Sequence, residues 1–151
     1  MQLFKLLFLF ILTPSVVSAE VHEATLNNGM KIFVKEDTRS PVVVSQVWYR
    51  AGSIDEVNGK TGIAHVLEHM MFKGTKTSRP GEFSEIIAAA GGRENAFTGA
   101  DYTCYFQQLE KSQLPVALKM EADRMQNLII TEEEFNKEIN VVMEERRWRT
   151  D

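Results

Sequence analysis

The spacing of apolar and polar residues changes character several times along this chain. The first stretch has no period. Leu6-Leu7-Phe8-Leu9-Phe10-Ile11-Leu12 follows a single early positive charge, Lys5, and Pro14 breaks the run. Val17-Ser18-Ala19 supplies small residues at its end. Basic, then apolar, then small is the order of a secretory signal peptide, so residues 1–19 are expected to be a targeting segment. The run is too short to span a bilayer comfortably. Membrane contact is therefore expected only through this segment if it stays uncleaved, and the expected location is periplasmic or secreted.

Residues 20–151 show shorter, regular patterns. His22 to Leu26 alternates weakly, Asn27-Asn28-Gly29 gives a turn signal, and Met30 to Lys35 follows as a second strand. An Asn-Gly turn between two such runs predicts a β-hairpin. Val42 to Arg50 is β-branched and aromatic, which predicts a buried strand, ended by Ala51-Gly52-Ser53. From Thr61 to Phe72 the period becomes helical, with Ile63, Val66, Leu67, Met70 and Met71 on neighbouring faces, and Lys73-Gly74-Thr75 closes it. Ser78-Arg79-Pro80-Gly81 opens a second helix, with Pro near the first turn. Its apolar stripe is Phe83, Ile86, Ile87 and Ala90, and Gly91-Gly92 stops it.

Arg93 to Thr98 and Tyr102 to Leu109 then predict two strands around Gly99-Ala100-Asp101. Leu114 to Leu128 and Thr131 to Thr150 predict two more helices. Thr131 with Glu134 three residues on suggests a capping box, and Glu132-Glu133-Glu134 suits the positive end of the helix dipole. Strands, helices, strands, helices is the order of an α+β fold, a largely antiparallel sheet with helices packed on one face. No internal repeat or interdomain linker interrupts it.

Composition narrows the function. The 151 residues suffice for one ordinary domain. A net charge of −4 argues against nucleic acid as a partner, since a basic face is expected there. The single cysteine, Cys104, excludes an intramolecular disulfide and a Cys-based zinc site. Any metal must be held by histidine and carboxylate, and the three histidines are His22, His65 and His69.

His65 and His69 stand one helical turn apart, so both can hold one ion from a single helix face. Glu68 projects near that face without competing as a ligand. Zinc accepts imidazole nitrogen and carboxylate oxygen, and a catalytic site keeps one position for water. A carboxylate beside it can take that water's proton, the task assigned to Glu68. Apolar residues around the motif predict a buried helix, where ionisable groups need partners and a metal supplies them. Two histidines leave one protein ligand to find. Glu138, Glu144 and Glu145 on the last helix are the candidates. Glu138 and Glu145, seven apart, share a face, and Glu144 points about 100° from Glu145. Helical period alone leaves the choice open.

The segment Gly62-Ile63-Ala64-His65-Val66-Leu67-Glu68-His69-Met70-Met71-Phe72-Lys73-Gly74-Thr75 resembles the active-site helix of the pitrilysin/insulinase metallopeptidases, which include the mitochondrial processing peptidases. His-x-x-Glu-His is their inverted zinc signature. Gly91-Gly92, Asn95-Ala96-Phe97-Thr98, Asp101-Tyr102-Thr103 and Tyr105 resemble the segment that follows. Ala122-Asp123-Arg124-Met125 and Glu138-Ile139-Asn140-Val141-Val142-Met143-Glu144-Glu145 resemble the next two helices. The resemblance implies a zinc metalloendopeptidase binding one Zn²⁺ on His65, His69 and Glu145. Glu68 is then the base, Glu138 an acidic residue supporting catalysis, and Glu144 the ligand if the alignment slips by one. It also implies that Asn95, Ala96, Phe97 and Thr98 lie on or next to a sheet edge that takes a peptide or unfolded polypeptide as an added strand. A second homologous domain or subunit is the expected partner. Family members continue well past the third ligand, so the chain is expected to be a truncated N-terminal domain. Two other functions stay in view: a non-catalytic, partner-binding subunit of the same fold, and a metal hydrolase with a non-peptide substrate.

Overall fold

The computed structural model describes residues 20–150, and the expected targeting segment, residues 1–19, lies outside them. The chain divides into two compact units, one ending at Ser40 and one beginning at Pro41. The first unit is the expected hairpin. Strand β1 (Val21–Thr25) pairs antiparallel with β2 (Lys31–Lys35), in a register that sets Thr25 opposite Lys31. The Gly29 N–H donates to the Leu26 carbonyl at 2.9 Å, and Gly29 takes a φ of 85° that favours glycine. His22 is exposed on β1.

The second unit is an α+β layer. Its sheet contains β3 (Val42–Tyr49), β4 (Arg93–Thr98) and β5 (Thr103–Glu110), in the order β3-β5-β4, with both pairings antiparallel. Four helices follow the predicted order: α1 (Ile63–Met70), α2 (Glu82–Ala89), α3 (Leu114–Asn127) and α4 (Glu132–Thr150). Alternation along the strands sends Val43, Val47, Ala96, Tyr105 and Leu109 to the helix side. The apolar core forms there, where Phe83 and Ile87 of α2 and Ala117 of α3 meet Leu109.

Two expectations need correction. Strand β3 is half-buried: Val42, Val44 and Trp48 are exposed on the face away from the helices. A β-branched and aromatic strand reads as buried on both sides, but each side needs its own cover. Helix α1 is half-buried too. Met70 is buried, while Ile63 and Leu67 face outward. Small differences occur at the ends. Helix α2 begins after Pro80, with Gly81 rather than the proline at its start. Thr131 Oγ1 caps the Glu134 N–H at 3.2 Å, and the Glu134 carboxylate goes to Lys137 at 2.8 Å instead of completing the box.

Candidate metal centre

The helix that carries His65, Glu68 and His69 starts without a capping side chain of its own. Gly62 precedes it with a φ of 95°, a conformation that a side chain would strain. The cap comes from upstream: the Glu56 carboxylate accepts from the Gly62 N–H at 2.8 Å and from the Ala64 N–H at 2.9 Å. Bonds to Ala64 and Gly62 hold the Glu56 carboxyl below its ordinary value. Beyond α1 the chain is tied to the end of α3. Thr75 Oγ1 donates to Asp123 at 2.5 Å, and the Lys76 N–H donates to the Asn127 carbonyl at 2.9 Å. At the turn, a Cβ on Gly74 would lie 2.8 Å from the Ser78 carbonyl oxygen.

Helix α4 packs along α1. Glu145 Oε2 lies 3.4 Å from His65 Nε2, and Glu145 Oε1 lies 3.7 Å from His69 Nε2. One donor atom from each of these three residues falls within 4.8 Å of the other two. Zinc–ligand bonds of about 2.0–2.1 Å in a tetrahedron require donors roughly 3.3–3.4 Å apart. Glu145 stands at 3.4 and 3.7 Å from the two imidazoles, so two imidazoles and one carboxylate could hold a zinc ion once the three donors draw in from 4.8 Å, with a fourth position left for water.

Glu138 does something different on the same helix face. Its Oε2 accepts from His69 Nδ1 at 2.9 Å, and its Oε1 accepts from Lys73 Nζ at 2.5 Å. A carboxylate only accepts, so a proton sits on Nδ1, which leaves Nε2, on the Glu145 side, as the nitrogen that could bind a metal. Burial pushes the Glu138 carboxyl up, but Lys73 and His69 outweigh it and hold the group below its ordinary value. Glu144 is exposed and pairs with Arg147 within α4, so the helix register turns it from the cluster.

Glu68 reaches the sheet. Thr98 Oγ1 donates to Glu68 Oε2 at 2.5 Å. The four residues expected to meet a peptide therefore divide. Asn95 and Phe97 are exposed on the outer face of β4, while Ala96 and Thr98 are half-buried on the helix side. Asn95 Oδ1 accepts from the Ala96 N–H at 2.9 Å. Among the described residues β4 pairs only with β5, so its other edge is open.

A groove of about 740 Å³ runs between α1 and α4 beside His65, lined mainly by apolar side chains such as Val66, Met70, Ile139 and Val142. Sequence reasoning missed Lys73 and Glu56 as parts of the centre. Lys73 stands one helical turn after His69, the one signal that could have flagged it. Nothing local marks Glu56.

A His-His-Glu cluster on two packed helices, with a further carboxylate on the same turn as the histidines, could hold a metal ion beside a base. Comparison with known proteins gives the family. The insulinase family (Peptidase family M16) matches residues 31–149, and the chain belongs to that family. It is 44% identical over 132 residues to the zinc protease PqqE of Helicobacter pylori, covering 86% of this chain and 30% of that protein. It is 34% identical over 126 residues to a probable mitochondrial-processing peptidase subunit beta of Arabidopsis thaliana, covering 83% of this chain and 24% of the relative. Among solved structures, a protease from Helicobacter pylori superposes with a TM-score of 0.84 at 42% identity, covering 89% of this chain and 32% of the other. Pitrilysin superposes with a TM-score of 0.76 at 25% identity, covering 87% of this chain and 14% of the other. The chain thus spans about 30% of the length of its first curated relative.

Proposed function

We propose that this chain carries the zinc centre and general base of a metalloendopeptidase. The observation that carries the proposal is the convergence of His65, His69 and Glu145 donor atoms within 4.8 Å. Zinc, when bound, polarises a scissile carbonyl and makes water acidic enough to lose a proton near neutrality. The chain's own groups do the rest. Glu68 takes the proton of the attacking water and delivers it to the leaving amine nitrogen. Glu138 holds His69 in the tautomer and orientation that offer Nε2, and Lys73 holds Glu138.

The open edge of β4 supports a peptide added as an antiparallel strand, held by backbone hydrogen bonds with little demand on sequence. Peptide turnover, and a second homologous domain or subunit that closes over the site, are proposed for the longer polypeptides of which this chain matches about 30%. Export belongs to the same proposal, supported by Lys5, the Leu6 to Leu12 run and Val17-Ser18-Ala19. Among the described residues no helix is long and apolar enough to cross a membrane.

The test is cleavage of an unfolded peptide by the zinc-loaded protein. Cleavage abolished in Glu68→Gln with zinc retained is expected. Bound zinc without any peptide turnover, even with a complementing C-terminal half supplied, would overturn the reading in favour of a partner-binding subunit.

A further inference from the structure

We propose that Thr98 is the positioning residue for the Glu68 base, and that its hydroxyl serves the enzyme's own carboxylate and not the substrate. The inference rests on the peptidase reading above. Thr98 has one hydroxyl proton and two possible acceptors. Glu68 Oε2 lies at 2.5 Å and Thr103 Oγ1 at 3.4 Å. Thr103 donates its own proton to the Ala51 carbonyl at 2.9 Å, and a carbonyl only accepts. Thr103 therefore has no proton to offer Thr98, and the short contact fixes the Thr98 proton on the carboxylate.

The anchor is stiff. Thr98 is β-branched, closes β4, and stands directly opposite Thr103 in the β4–β5 register. Thr103 is buried and also stands opposite Tyr49, the last residue of β3. The ends of β3, β4 and β5 thus lie side by side at this point. A glutamate on an exposed helix samples many rotamers; one held at Oε2 keeps a single carboxylate plane and leaves Oε1 for the attacking water. The side chain's place on the helix face of β4, with Asn95 and Phe97 on the other, points the same way.

Two measurements test this. The first is a double-mutant cycle by urea unfolding of the metal-free chain with Thr98→Val, Glu68→Ala and both together. The single effects should couple by roughly tenfold in the unfolding constant, as a hydrogen bond to a charged group does. The second is steady-state cleavage of an unfolded peptide by the zinc-loaded protein. Thr98→Val should lower kcat by roughly 10–100-fold, the scale of a misplaced catalytic group, with KM and zinc content unchanged. Thr98→Ser should restore most of kcat. Thr98→Ala serves both measurements where the valine variant folds poorly. Additive single effects would overturn the proposal, as would a raised KM with unchanged kcat, which marks a substrate contact. Absence of turnover in the unmutated protein, even with a complementing C-terminal half supplied, would overturn the peptidase reading instead, and the unfolding cycle would still decide whether Thr98 anchors Glu68.

Discussion

Two carboxylates in this fold, Glu121 and Glu145, are held in opposite ways. Glu121 lies beneath the sheet and is 2% exposed. It accepts from Arg124 Nε at 2.7 Å, from Arg124 Nη2 at 2.5 Å and from Gln107 Nε2 at 2.5 Å. The Arg124 guanidinium stacks among Tyr105, Phe83 and Phe72 at 4.2, 4.8 and 5.4 Å. Glu145 lies at the α1–α4 end with its side chain 36% exposed, and its neighbours stand off at 3.4 Å and beyond. The first is a structural ion pair in direct contact through both carboxylate oxygens. The second gathers three donor atoms within 4.8 Å without closing on any of them, an arrangement that could hold an ion.

Breaking the buried pair should produce the largest effect. Arg124→Met leaves Glu121 charged and nearly dry, a loss of about 3–5 kcal/mol in unfolding free energy. Adding Glu121→Gln should recover much of that, because a neutral pair carries less desolvation cost. Urea titration checks both. Zinc stoichiometry of whatever remains folded should not change; a selective loss of zinc would dissolve the distinction between the two regions.

At the metal end the order reverses, with ligand affinity sensitive and the fold tolerant. Glu138→Gln should weaken zinc binding by about 10–100-fold, the usual consequence of losing a histidine's supporting carboxylate. Competition with a chelator dye reads this. Glu138 also makes a pH signature. Its carboxyl is lowered from 4.5 in the folded protein. The unfolded chain therefore takes up the proton first as pH falls. The stabilisation is full above the unfolded value and is lost as pH falls through the folded one. Metal-free Glu138→Gln should show a flatter decline of stability over that acidic window than the unmutated chain, measured by thermal melts. An identical decline in both would remove Glu138 from the network.

A smaller effect belongs to α4 itself. Thr131→Ala removes the cap on the Glu134 N–H and should cost about 1 kcal/mol of stability. Zinc affinity should barely move, since Glu145 lies near the other end of the helix. A drop in affinity matching the Glu138 variant would mean that the ligand helix is held mainly from its start.

How much of this could be read from the residues follows from the range of each contact. The hairpin, the β4–β5 pair and all four helices rest on local signals, such as Asn28-Gly29, Gly91-Gly92 and the helical period of Phe83 to Ala90. His65, Glu68 and His69 needed only one helix. The third ligand did not follow from period, because α4 is largely polar and both Glu144 and Glu145 fit an outward face. The family resemblance pointed to Glu145, and the packing of α4 on α1 brings that residue to the histidines and turns Glu144 away. Lys73 and His69 meet Glu138 across most of the domain's sequence, and Thr98 reaches Glu68 from another element altogether. Such pairings carry no local mark. The half-buried state of β3 and α1 was missed for a related reason: apolar residues show what would welcome cover, not what supplies it.

The central claim is that His65, His69 and Glu145 form one zinc centre and that Glu144 does not take part. Zinc titration of the purified chain and its Glu145→Gln and Glu144→Gln variants tests it most directly. The account predicts one tightly bound zinc for the unmutated chain and for Glu144→Gln, and at least about a hundredfold weaker binding for Glu145→Gln. Undiminished affinity in Glu145→Gln, or the loss appearing in Glu144→Gln instead, would contradict it.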